Sequence, residues 1–113
     1  MIHSDDRAEK FKAKLAALSS EYAKRQTTLI ADYQAAWIYF LEASGGEEKW
    51  AETLERLIFI SHSLAGSSGT FGFEEISVTA NKIEENLRRV RDRGSLEDRM
   101  RKTLNDLALE LKD

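Results

Sequence analysis

The chain has 113 residues, 42% of them hydrophobic and 33% charged, which is the size of one globular domain with one core. It holds no proline and six glycines, so little interrupts long helices; its 17 basic and 20 acidic residues leave a formal charge of -3, too small and too mixed to favour nucleic acid or a membrane surface as partner. The absence of cysteine excludes a disulfide framework and cysteine-based zinc or nucleophile chemistry, and is compatible with a reducing compartment, the cytoplasm being the default expectation.

No apolar signal core opens the sequence, and no run of roughly 18 apolar residues occurs, so a soluble protein is expected. Phe11, Leu15, Leu18, Tyr22, Leu29, Tyr33, Ala36, Trp37 and Phe40 follow in steps dominated by threes and fours. That spacing puts them on one face and predicts a long first helix over about 5 to 43. Ser19-Ser20 is a candidate cap that would split off a short N-terminal segment. Gly45-Gly46 supplies a stop, and Glu47-Glu48 places negative charge at the positive end of the next helix.

The second helix carries Trp50, Leu54, Leu57, Ile58, Leu64 and Ala65 on one side and is expected to run to about Thr70, with Gly72 as its stop. A third, from about Phe73 to Gly94, repeats Ile76, Ala80, Ile83, Leu87 and Val90 in fours and threes. Ser95 reads as the N-cap of a fourth, with Leu96, Met100, Leu104, Leu107 and Leu111 as its buried stripe. Connections this short force sequential helices to pack side by side. The expectation is all-α: an antiparallel up-and-down four-helix bundle, one domain over 1–113. Trp37, Tyr39 and Phe40 read as packing and Trp50 as a cap on the bundle. Met1 and a last helix running nearly to Asp113 fit a free-standing protein.

His62 lies inside the second helix, roughly 110° from the centre of its apolar face, and so should stand on a flank open to solvent. Gly66 and Gly69 fall on the same flank, leaving backbone where a helix surface normally carries side chains. Each mid-helix glycine costs about 1 kcal/mol relative to alanine, and access to His62 is the gain expected to offset that cost. A neutral imidazole offers one nitrogen for attack while the other is held by a hydrogen bond, which suits reversible phosphoryl acceptance. Phe59 projects to the same flank, with Ile58 toward its core edge, and together with Glu55 they form the expected partner-docking patch.

His62-Ser63-Leu64-Ala65-Gly66-Ser67-Ser68, followed by Gly69 and Gly72, resembles the pattern His-x-Leu-Lys-Gly-Ser-Ser of histidine-containing phosphotransfer (HPt) domains. The specific part of the likeness is the stretch from His62 to Gly72, and the order of helices agrees over the whole chain. The resemblance implies that His62 takes a phosphoryl group on its outer ring nitrogen from a receiver-domain aspartate and passes it to another receiver. It also implies that Gly66 clears space for that receiver, with Ser63 and Gly69 in supporting places. A polar residue on the next helix often holds the inner nitrogen in this family, and the matching position is Glu84. Glu84 is equally placed to pair with Arg88 at i+4. The family's lysine is replaced by Ala65, so Mg²⁺ and a lysine of the receiver are expected to supply most of the charge neutralisation, and no cofactor is expected on this chain.

The sequence has neither an ATP-binding glycine motif nor an acidic cluster for Mg²⁺, so the chain is expected to be a phosphocarrier and not an enzyme in its own right. Expected partners are response-regulator receiver domains and hybrid histidine kinases, and the expected state is a monomer. Two other readings stay open: a module that sequesters receivers or kinases without carrying phosphate, and a bundle whose four-three repeats form an intermolecular seam. His3 falls in a frayed end and is assigned nothing. Arg88, Arg89, Arg91, Arg93, Arg99, Arg101 and Lys102 surround the turn at Gly94 and read as a solvated helix end.

Overall fold

In the computed structural model, residues 2–42 and 46–112 are described, with side chains from residue 6 onward. Four helices follow one another: α1 Ile2–Glu42, α2 Gly46–Thr70, α3 Glu74–Arg93 and α4 Asp98–Glu110. The described residues contain no strand. None of the helices is long and apolar enough to cross a membrane.

The stripes of the four helices converge on one core. Tyr33, Leu54, Leu57, Leu64, Ile83, Leu87, Leu104 and Leu111 are almost wholly removed from water. Contacts between neighbours run in opposite chain order, as antiparallel packing requires. Tyr22 meets Ser68 and Phe40 meets Trp50 across α1 and α2, while Ala65 meets Ser77 and Glu55 meets Arg91 across α2 and α3. Trp37 donates its indole N–H to Asn105 Oδ1 at 2.7 Å, tying α1 to α4. Tyr39, by contrast, is exposed.

Glycines make the turns. Gly46 opens α2 at φ +87°, Gly72 lies between α2 and α3 at φ +84°, and Gly94 ends α3 at φ +75° with its N–H on the carbonyls of Val90 and Arg91. Gly45 and residues 43–44, where the first stop was expected, lie outside the described residues.

The structure corrects the expected chain path at two places. No break occurs at Ser19-Ser20: α1 is continuous, because nothing between Ile2 and Glu42 is glycine or proline and serine is tolerated within a helix. Nor does Ser95 cap α4. That place is taken by Glu97, whose side chain makes no cap hydrogen bond and instead pairs with Arg93 at 2.7 Å. Leu96 packs against the core before the helix begins.

A third correction concerns burial. Phe11, Leu15 and Leu18 share the phase of the buried stripe, yet they are exposed, Phe11 to 68%. At 1.5 Å per residue the 41 residues of α1 span about 60 Å, most of the 66 Å length of the molecule. The neighbouring helices reach α1 only as far as Tyr22, which stacks on Phe71 at 4.6 Å, so the turns before it project past the bundle.

Tyr22 also joins the buried hydroxyl of Ser68 at 2.9 Å. Tyr22→Phe is therefore expected to lower unfolding free energy by about 1–2 kcal/mol, because Ser68 would keep a buried polar group without this partner. Urea titration of the two proteins checks it.

Candidate functional site

His62 occupies the middle of α2, where the apolar residues that fix the helix face inward. Leu57, Leu64 and Ser61 are fully buried, and the turn that carries the ring is thereby held rigid. The side chain of His62 is 70% exposed. Its Nδ1 lies 3.1 Å from both Oε1 and Oε2 of Glu84 on α3. With the ring neutral, that arrangement places the proton on Nδ1, which donates to the carboxylate, and leaves the lone pair on Nε2. Nε2 has no hydrogen-bond partner among the described residues.

Glu84 is 12% exposed and is held from the other side by Arg88, which donates Nε–H at 2.9 Å and Nη2–H at 2.6 Å to Oε2. Burial pushes the Glu84 carboxyl upward, but the hydrogen bonds and charges of Arg88 and His62 outweigh it and hold it below the ordinary carboxylate value. The group is thus an anion throughout the neutral range. The two pairings open from the sequence, to His62 or to Arg88, exist together because a carboxylate has lone pairs for both.

The glycines prove to have different reasons. A Cβ built on Gly66 meets nothing within 4 Å, so this position is open space beside the ring. A Cβ on Gly69 would come within 3.2 Å of Ser77 Oγ, which is itself fixed by donating to the carbonyl of Ala65 at 2.8 Å. Close approach of α3 therefore accounts for Gly69, in place of access to the imidazole. An open depression of about 430 Å³ lies at the ring, lined by His62, Ser63, Gly66, Ser67, Thr70 and Phe71.

Of the patch expected to receive a partner, Phe59 is exposed to 70%, one turn before His62. Ile58 is not part of it: at 5% exposure it belongs to the core, turned inward because it lies about 100° from Phe59 around the helix. Glu55 is exposed and engaged with Arg91 at 3.2 Å. Ala65, in the place of the family's lysine, is buried. The basic cluster around Gly94 is partly neutralised by Arg88–Glu84, Arg91–Glu55, Arg93–Glu97 and Lys102–Asp106 pairs.

Sequence reasoning offered the Glu84–His62 and Glu84–Arg88 pairings as alternatives and missed that they coexist; it also missed the role of the second serine of the motif, Ser68, as a buried partner of Tyr22. The i+4 spacing gave the Arg88 partner, and only the carboxylate's spare lone pairs could have signalled that both contacts form at once. For Ser68 there was no signal, because Tyr22 and Ser68 are brought together only by tertiary packing.

A helical domain that exposes the imidazole of His62 from the middle of a helix packed on the core, with its inner nitrogen held by an acid, has the make-up of a phosphoryl carrier. The family model described as Hpt domain matches residues 18–112, and the chain belongs to that family, the histidine phosphotransfer modules of two-component phosphorelays. No curated protein and no solved structure matched it.

Proposed function

We propose that His62 accepts a phosphoryl group at Nε2 from the aspartyl phosphate of a receiver domain and passes it to the aspartate of another. The observation that carries this reading is the division of the ring: Nδ1 is engaged by Glu84 at 3.1 Å while Nε2, on a side chain 70% exposed, has no partner among the described residues. The Nε2 lone pair forms the N–P bond, the P–O bond to the receiver's carboxylate breaks, and its electron pair returns to that carboxylate. Glu84 balances the charge gained by the ring, so no proton has to leave during transfer.

Open space at Gly66 lets the receiver approach, and Phe59 gives it an apolar contact one turn away. Phe59→Ala is expected to weaken receiver binding roughly tenfold, about 1.4 kcal/mol, with helix content unchanged because the side chain packs against solvent. Calorimetric titration with a receiver and circular dichroism check the two halves. Unchanged affinity would place the docking surface elsewhere.

Incubation with a receiver carrying labelled phosphate tests the reading itself. The chain is expected to acquire an acid-labile label that His62→Gln loses. A chain that binds the receiver yet stays unlabelled would be a sequestering module.

A further inference from the structure

We propose that Arg88 is a positioning residue that acts through Glu84, clamping its Oε2 so that the carboxylate holds the Nδ1 proton of His62 without drawing a second proton onto Nε2. The inference rests on His62 being the phosphoryl acceptor.

An unshared carboxylate 3.1 Å from an imidazole has two opposed effects. It orients the ring and keeps the proton on Nδ1, which directs attack to Nε2. It also stabilises the doubly protonated ring, in which Nε2 has lost its lone pair and cannot attack. Arg88 separates the two effects. Its fork takes Oε2 through two N–H groups at 2.9 and 2.6 Å, which fixes the carboxylate's rotamer and occupies part of its charge. His62, Glu84 and Arg88 together are then neutral before attack. Once Nε2 has bonded to phosphorus, the ring with its retained Nδ1–H is cationic, and Glu84 is already in place beside it. When phosphorus leaves for the next carboxylate, the N–P pair returns to Nε2 and the ring departs neutral.

Few other charges act on this ring. On α2 the residues one turn either side of His62 are Ile58, Phe59, Ala65 and Gly66, all uncharged. The acid two turns before it, Glu55, is paired with Arg91 of α3 at 3.2 Å. Neither α1 nor α4 sends a hydrogen bond or ion pair to the ring among the described residues. Ala65 stands where the family's pattern has a lysine, and the cation that reaches the site is Arg88, through its bonds to Glu84.

The test uses phosphoramidate, a small phosphoryl donor that needs no docking surface, on the whole chain and on Arg88→Ala, Arg88→Lys, Glu84→Gln and the Glu84→Gln/Arg88→Ala double variant. The readout is the rate of His62 phosphorylation across pH, each variant compared with the unaltered chain at the same pH so that the donor's own titration cancels. Arg88→Ala is expected to phosphorylate roughly two- to fivefold more slowly near neutral pH, the size of a partly exposed charge interaction, and to regain the normal rate in more alkaline solution. Arg88→Lys should recover most of the loss. In the Glu84→Gln background, removing Arg88 should change nothing, since the cycle then lacks the group through which it acts.

A deficit of Arg88→Ala that persists unchanged at every pH, a profile equal to that of the unaltered chain, or an equal effect in the Glu84→Gln background would overturn the inference. Phosphorylation of the unaltered chain at His62 in the same experiment keeps those outcomes separate from the acceptor reading. A chain that takes no phosphorus at His62 overturns both.

Discussion

Truncating Leu57 to alanine is expected to lower the unfolding free energy by about 2–5 kcal/mol, whereas Phe11→Ala should change it by less than about 0.5 kcal/mol. Both residues are large and apolar in the sequence, but Leu57 has no exposed surface and sits where α2 meets the core, while Phe11 is 68% exposed on the projecting turns of α1. Removing Leu57 loses its transfer free energy and leaves a cavity that rigid neighbours fill only in part. Removal of Phe11 leaves no cavity at all. Chemical denaturation of the two variants, monitored by helical circular dichroism, reads the difference directly. Equal losses would mean that the projecting turns are packed in solution.

Gly66 should show the opposite separation, between stability and function. Gly66→Ala is expected to raise stability by about 0.5–1 kcal/mol, because the position is helical, its added Cβ meets nothing within 4 Å, and alanine loses less backbone entropy than glycine. Gly66→Leu should fold equally well, but its side chain would fill the depression beside His62 through which, in the proposed transfer, a receiver's aspartyl phosphate reaches Nε2. A displacement of the reacting atoms by as little as ~1 Å costs on the order of 100-fold in rate, and a loss of that size is expected in receiver-to-His62 transfer. Phosphorylation by a small donor should be far less affected. Normal transfer in Gly66→Leu would show that the receiver approaches from another side.

Much of this arrangement was legible in the sequence, for a physical reason: helix periodicity and glycine stops are local. The apolar repeat from Ile76 to Val90 specified α3 and its inward face, and Gly94 marked its end because only glycine takes φ +75° without strain. His62 was legible as exposed because its angle from the apolar centre is fixed by its position in the helix. How far partner helices extend is not local. Phe11, Leu15 and Leu18 have the same spacing as the buried stripe, and only the place where α2 ends, opposite Tyr22, decides that they stay in water. The same holds for Gly69, whose reason is Ser77 on another helix, and for Ser95, which lost the capping position to Glu97 because Leu96 is drawn into the core. Glu84 was visible as a candidate with two partners, and the structure assigns it both.

Phosphorus and nitrogen NMR of the chain after treatment with a phosphorylated receiver tests the central claim most directly. The account predicts one phosphohistidine signal, with phosphorus bonded to Nε2 of His62 and the proton retained on Nδ1. Phosphorus on Nδ1, on another residue, or nowhere on the chain would contradict it.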